Sequence, residues 1–230
     1  MKSNYPEILC LIPVYNEQEN INGIINEFEN LDFNIDFVII DDGSDDNLYT
    51  VLDTSKANVI KHINNLGLCW AIKTGCRYAI EKKYSYVIRL DGDGQHDPKC
   101  IKQFIESLID GNADMIIGTR YYEGSSYKKQ FLNNLGSKYF SLLIRIKTKC
   151  VITDPTSGFI GMKFDVINSF IKNSTQDYPE IETILIMNKL GYQVKEIPIS
   201  MRRRKHGKSS ITFLKRIYYV FNQTLFILFF

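Results

Sequence analysis

Short apolar runs and amphipathic stretches take turns along the first half of the chain. Ile8 to Val14 and Ile35 to Ile40 are apolar runs of strand length, and both read as buried strands. Between them, Glu17 to Leu31 carries Ile21, Ile24, Ile25, Phe28 and Leu31 at helical spacing. Asn58 to His62 predicts a short third strand, Leu66 to Lys83 a helix, and Tyr84 to Leu90 the next strand. Pro98 to Ile109 predicts a helix with Asp97 as N-cap and proline at its first position. Asp114 to Gly118 predicts a strand. Strand and helix in alternation imply an α/β fold with a doubly wound, mostly parallel sheet and helices on both faces.

The second half is less regular. Lys129 to Lys147 predicts a helix and Asp154 to Gly158 a loop. Glu180 to Leu190 predicts a helix closed by Gly191, and Tyr192 to Ile197 a strand ended by Pro198. Ile217 to Phe230 is mostly aromatic and aliphatic; its 14 residues fall short of the about 20 that span a bilayer. Two readings of this tail stand: a last core helix, or a segment lying in a membrane interface or on a partner. The expected organisation is a catalytic domain over residues 1–212 and an apolar C-terminal helix over 213–230.

Composition narrows the class. With 44% hydrophobic residues in 230, one domain can bury a sizeable core. A net charge of +2 points to no nucleic-acid partner, although Met201 to Lys208 is a basic knot. The five cysteines are scattered without a Cys-x-x-Cys pair, which argues against a zinc site and suits a reducing cytosol. Met1 to Pro6 has no signal-peptide core.

In doubly wound sheets, ligands sit beyond the carboxyl ends of the strands. The polar clusters fall there: after Val14, after Ile40 and after Leu90. Asp91-Gly92-Asp93-Gly94-Gln95-His96 sets two carboxylates two residues apart, with an amide oxygen two further on. These are hard oxygen ligands, suited to Mg²⁺ or Mn²⁺ bridged to a diphosphate; an acidic glycine turn without metal is the plainer alternative. Asp41-Asp42-Gly43-Ser44-Asp45-Asp46 offers carboxylates to a nucleobase or ribose, or else a turn and helix cap. Tyr15 and Glu17 follow Pro13 where a base and ribose would lie. Three other motifs fail. Gly92-x-Gly94 lacks the third glycine of a dinucleotide fingerprint, Gly207-Lys208-Ser209 lacks the earlier P-loop glycine, and no Gly-x-Ser-x-Gly elbow occurs.

Taken in order, seven elements resemble family-2 glycosyltransferases of the GT-A fold, in particular polyprenyl-phosphate sugar synthases such as dolichyl-phosphate mannose synthase. They are Pro13-Val14-Tyr15-Asn16-Glu17, Asp41-Asp42-Gly43-Ser44, Asn65-Leu66-Gly67, Asp91 to His96, Gly118-Thr119-Arg120, Asp154 to Phe159, and Arg204-x-x-Gly207-x-Ser209. The resemblance implies that Pro13, Tyr15, Glu17 and Asp42 hold the nucleoside, and that Asp91 and Gly92 lie near the ribose or donor phosphates. It implies Asp93 and Gln95 as metal ligands, with Mg²⁺ or Mn²⁺ as cofactor. Arg120, Arg202 and Arg204 would face phosphates of donor or acceptor, and Asp154 is an acceptor-side carboxylate. Asp93, Arg120 and Asp154 are thus the implied catalytic set. Two departures from the mannose synthase pattern stand out. Ser210 occupies a lysine position, and the arginine expected after Gly-Thr-Arg has only Lys128, Lys129 and Lys138 nearby. Tyr178-Pro179-Glu180-Ile181-Glu182 is more similar to bacterial members of cell-wall or surface-polysaccharide assembly, some of which work beside a small membrane partner.

The implied reaction inverts the anomeric carbon of a nucleotide-sugar, with uridine expected over guanosine and a sugar of the N-acetylglucosamine, glucose or mannose class. A lipid phosphate acceptor is already anionic and needs orientation rather than deprotonation. Asp154 would be a general base only for a sugar hydroxyl. Undecaprenyl phosphate is the first expectation, with a peripheral enzyme on the cytosolic membrane face. A hydroxyl of a growing polysaccharide is the second, and a non-catalytic module binding anionic lipid the third.

Overall fold

The structure, a computed structural model, describes residues 3–122, 131–204, 206 and 213–230. Seven strands form one sheet: β1 (Ser3–Val14), β2 (Phe33–Asp41), β3 (Asn58–Lys61), β4 (Tyr86–Arg89), β5 (Met115–Thr119), β6 (Ile160–Lys163) and β7 (Val194–Pro198). Their order is β3-β2-β1-β4-β6-β5-β7. Every pairing is parallel except those of β6, which runs antiparallel between β4 and β5.

The two faces of β1 show why the sheet needs helices on both sides. Leu9 and Leu11 pack into one core with Val38, Ile40, Val87 and Ile117, while Ile8, Cys10 and Ile12 pack into a second with Ile39, Ile88 and Ile116. Alternation along a strand sends successive side chains to opposite faces, so a strand apolar throughout must be covered twice. On the second face lie α1 (Gln18–Glu29), α2 (Leu48–Val51) and α4 (Ile101–Ile109). On the first lie α3 (Leu68–Glu81), α5 (Phe131–Thr148), α6 (Phe164–Asn173), α7 (Pro179–Lys189) and α8 (Phe213–Phe229).

The local signals act as the periodicity predicts. Asp97 accepts a hydrogen bond from the Lys99 amide (3.1 Å) and starts a 3-10 turn at Pro98 that runs into α4. Gly191, at φ +85°, follows α7 in a backbone region that other residues rarely adopt. The chain adds three elements that the pattern did not predict. β6 has four residues, one of them glycine, and its partners β4 and β5 lie far away in sequence. α2 is a single turn, and α6 follows β6 directly. β1 also starts earlier than its apolar run, because Ser3 and Asn4 pair with Phe33 and Asn34 across an irregularity before Leu9.

α7 is buried from Pro179 through Met187, packed by α5, α6 and α8, and carries Glu180 and Glu182 inside. α8 lays Gln223 and Ile227 on this layer and leaves Tyr218, Phe221 and Phe229 exposed. The C-terminal segment therefore contributes one face to the core and presents another outward. Among the described residues, no helix is long and apolar enough to cross a membrane.

Candidate functional site

β1 turns back to β2 on one side while β4 leads away on the other, so a crevice opens beyond the carboxyl ends of β1 and β4. The loops bordering it are tied to one another. Asn16 (φ +56°) donates its amide to Ser44 Oγ and accepts from the Asp45 and Asp46 amides through Oδ1. Asp46 in turn accepts from the Gln18 and Leu48 amides, so the second half of the acidic run serves as turn and helix cap.

The first half behaves differently. Asp41 is buried, and its Oδ1 accepts from the Ser44 amide. Asp42 is also buried. Oδ1 takes the Leu66 amide (3.0 Å) and lies 2.7 Å from His62 Nδ1, and Oδ2 takes the Gly67 amide (2.8 Å). Both oxygens of Asp42, expected at the nucleoside, are bonded to the chain. Asp42 fixes the 62–67 loop, including the Asn65-Leu66-Gly67 element. Pro13 is buried beside Ile40, whereas Tyr15 is exposed.

The loop after β4 carries the carboxylates. Asp91 accepts from the Arg89 guanidinium through Oδ1 (2.9 Å), and its amide donates to His96 Nδ1 (3.1 Å). Burial works against ionisation of Asp91, but the charge and hydrogen bond of Arg89, with the charge of Arg120, outweigh it and hold the carboxyl below its ordinary range. Burial takes His96 down to about 4, so the ring is neutral near pH 7, in keeping with an accepting Nδ1. Asp93 moves the other way: burial first, then the Asp91 charge, pushes it up to about 6. A carboxylate held so close to protonation gains from a cation. Asp93 Oδ1 accepts from the Gln95 amide (3.0 Å), and Oδ2 is 3.9 Å from Arg204. Gln95 Nε2 donates to the Arg202 carbonyl (3.2 Å), which leaves Oε1 as the ligating atom of the amide. Asp93 and Gln95 thus fit a hard divalent ion.

Two glycines let these loops touch. A methyl on Gly92 would stand 2.8 Å from the Pro13 carbonyl, and one on Gly158 would stand 2.2 Å from Asp91 Oδ2. A side chain at position 92 would press on the first-strand loop, and one at position 158 would displace the Asp91 carboxyl.

Residues 201–204 run along this loop, with His96 and Met201 forming an isolated antiparallel bridge. Arg204 donates to Glu17 (2.5 Å) and thereby joins the loop after β1 to the Asp93 loop. Burial raises the Glu17 carboxyl despite its bonds to Asn20 and Arg204. Arg202, expected at an acceptor phosphate, pairs with Glu27 (2.6 Å) and Asp97 (2.8 Å). These two pairs brace the 201–204 segment. Lys128, Lys129 and the Gly207 to Ser210 part of the late motif lie outside the described residues.

Arg120 follows β5 and is clamped by Asp154, with Nε to Oδ2 at 2.5 Å and the terminal nitrogen to Oδ1 at 2.6 Å. Its amide adds a third bond, and Thr156 Oγ takes a fourth at 2.9 Å. Asp154 is fully buried, and Ser137 also donates to it. The general-base role does not suit such a carboxylate, because its oxygens already face Arg120, Ser137 and an amide. Glu196 on β7 supports the pair from below, accepting the Thr153 and Asp154 amides (both 2.8 Å). Sequence reading gave no site role to Glu196 or Arg89, and named Glu180 only as the start of a helix and as part of the Tyr178 to Glu182 stretch. The one available signal was a charged residue inside an otherwise apolar strand, Tyr86-Val87-Ile88-Arg89-Leu90.

The chain is similar to several known proteins. A polyprenol monophosphomannose synthase of Mycolicibacterium smegmatis is 24% identical over 89% of this chain and 80% of its own length. A UDP-N-acetylglucosamine–dolichyl-phosphate N-acetylglucosaminyltransferase of Methanococcus voltae is 27% identical over 84% of each chain. The crystal structure of glucosyl-3-phosphoglycerate synthase from Mycobacterium tuberculosis, with Mn²⁺, UDP-glucose and phosphoglyceric acid, gives a TM-score of 0.71. That likeness covers 96% of this chain and 78% of the other at 18% identity, and so concerns the fold. Residues 10–171 match the model of Glycosyl transferase family 2, and by that match over most of its length the chain belongs to this family of glycosyltransferases.

Proposed function

We propose that this enzyme transfers a sugar, with inversion, from a uridine-diphosphate donor to a polyprenyl phosphate at a membrane surface. The observation that carries the choice of acceptor is the state of Asp154. The carboxylate on the acceptor side is buried and committed to Arg120. It therefore orients a cation rather than taking a proton, and a cation in that place suits an acceptor that is already an anion. Both named relatives above act, by their names, on lipid phosphates. The donor base follows the Methanococcus voltae relative, whose name includes UDP.

In this reading Pro13, Tyr15 and Glu17 border the nucleoside, with Asp42 shaping the loop beside it. Asp91 meets the ribose or donor phosphates, and Gly92 lets the backbone approach them. Asp93 and Gln95 hold Mg²⁺ or Mn²⁺, which when bound offsets charge on the leaving diphosphate. Arg204 and Arg120 orient phosphates, the acceptor oxygen forms its bond to the anomeric carbon, and the bond to the diphosphate breaks on the opposite side. The outward residues of α8, together with Leu142 and Ile146 on α5, form an apolar surface suited to the cytosolic face of a membrane or to a small membrane partner. Residues 213–230 then act as the docking element of the catalytic domain, and the product feeds cell-wall or surface-polysaccharide assembly.

The test is transfer itself. Purified protein with Mn²⁺ or Mg²⁺, undecaprenyl phosphate and radiolabelled UDP-N-acetylglucosamine, UDP-glucose or GDP-mannose is expected to move label into the organic phase from one donor. A chelator is expected to abolish the transfer. Label moving instead onto water-soluble saccharide would give the acceptor as a sugar hydroxyl and overturn the lipid reading.

A further inference from the structure

Arg89 is the last residue of β4, and its neighbours Ile88 and Leu90 are core residues. Its own side chain is only 3% exposed. One terminal nitrogen donates to Asp91 Oδ1 (2.9 Å) and the other to Glu180 Oε1 on α7 (2.8 Å). A small void of about 10 Å³ beside it is lined by Ile72, Ile160, Met162, Phe170 and Pro179 together with Glu180 and Thr183, so its surroundings apart from its polar partners are largely apolar. An apolar residue at this position would fill the core without the cost of desolvating a cation. A purely structural account therefore leaves the charge unexplained.

The geometry at the other end explains it. Asp91 is the one member of this buried chain that reaches the crevice, with a third of its side chain exposed. Arg89 grips Oδ1, and the Gly158 backbone lies flush against the carboxyl group, where a methyl would be 2.2 Å from Oδ2 and 2.5 Å from Oδ1. A short carboxylate held on two sides has one orientation left to present to a ligand. We infer that Arg89 is a positioning residue for Asp91, anchored by Glu180, and that the Asp91–Arg89–Glu180 chain sets the donor carboxylate from behind the sheet. This rests on the reading of Asp91 as a donor-side group.

The test separates positioning from packing. Arg89→Met leaves Glu180 buried without its partner and is expected to lower thermal stability as well as donor affinity. The double variant Arg89→Met/Glu180→Gln removes the stranded charge and is expected to regain stability. Its affinity for UDP with Mn²⁺, by titration calorimetry, is expected to stay on the order of 10–100-fold below wild type, the range typical when a group behind a ligand is lost. Adding Asp91→Asn to the double variant is expected to weaken binding little further, whereas in wild type it weakens binding as much as the double variant does. Affinity that returns to within about threefold of wild type along with stability would make Arg89 structural only and overturn the inference. The readout does not involve the acceptor. Wild type that binds UDP yet makes no lipid product overturns the acceptor reading alone, whereas wild type that binds neither UDP nor GDP overturns the donor reading and this inference together.

Discussion

Asp93→Ala is expected to lower kcat for sugar transfer about 10²–10³-fold while leaving the fold intact, as read by steady-state transfer with Mn²⁺ and by thermal unfolding of metal-free protein. The two halves of this expectation have separate causes. Burial and the neighbouring Asp91 charge push the Asp93 carboxyl up to about 6, so in the metal-free protein its ionised form is disfavoured relative to the unfolded chain. Removing it takes away a penalty at neutral pH, and the melting temperature is expected to hold or rise slightly. Arg204 is not stranded, because its 2.5 Å bond to Glu17 remains while its approach to Asp93 is only 3.9 Å. The Gln95 amide loses one acceptor in a partly exposed loop, a change worth about 1 kcal/mol at most. Activity has no such reserve, since Asp93 supplies the carboxylate half of the proposed ligand pair and Gln95 the neutral half. A variant that unfolds earlier and loses activity in proportion would place Asp93 in the fold rather than in the chemistry.

Several of the residues that sequence reading found share one property: they sit at the end of an apolar run, where a change of pattern marks a strand end facing solvent. Asp91, Asp93 and Gln95 announce themselves in this way after Leu90, as do Tyr15 and Glu17 after Val14. The parallel sheet was legible for the same reason, since strand and helix periods alternate within short windows. β6 was not legible. Its four residues belong to the sheet only because β4 and β5 leave a space between them, and no local period encodes that long-range fact. The supports of the site were hidden for a related reason. Arg89 reaches Glu180 across 91 residues, and Glu196 reaches Asp154 across 42, so each reads in isolation as a stray charge in an apolar segment. Asp42 and Arg202 show the converse. Motif position marked them as ligand contacts and gave no sign of the bonds to Gly67, Leu66, Glu27 and Asp97 by which they also brace the loops.

That distinction between contact and support matters most for the Arg120–Asp154 pair, where one substitution is expected to damage both. Arg120→Met removes the guanidinium that faces both oxygens of a carboxylate with no solvent exposure. Breaking a buried pair from one side costs about 3–5 kcal/mol, because the remaining charge has lost its counter-ion and cannot reach water. The Arg120 amide and the Ser137 hydroxyl still donate to Asp154, which favours the lower end of that range. For a chain of this length each kcal/mol lowers the melting temperature by roughly 2–4 °C, so a drop of roughly 6–20 °C is expected in thermal unfolding. The double variant Arg120→Met/Asp154→Asn carries no stranded charge; its amide oxygen can still accept from the residue-120 backbone amide while its NH2 donates to the Ser137 hydroxyl. Most of the lost stability is expected to return in it. Transfer is not expected to return, because the cation proposed to orient the acceptor phosphate is absent from both variants; each should fall at least about 10²-fold below wild type, with the KM for the lipid phosphate raised. Recovery of transfer together with stability in the double variant would show that Arg120 serves only to neutralise Asp154, and the acceptor anion would then need another partner. If instead the single variant melts like wild type, Asp154 is content with its neutral donors, and the clamp is a consequence of the fold rather than one of its supports.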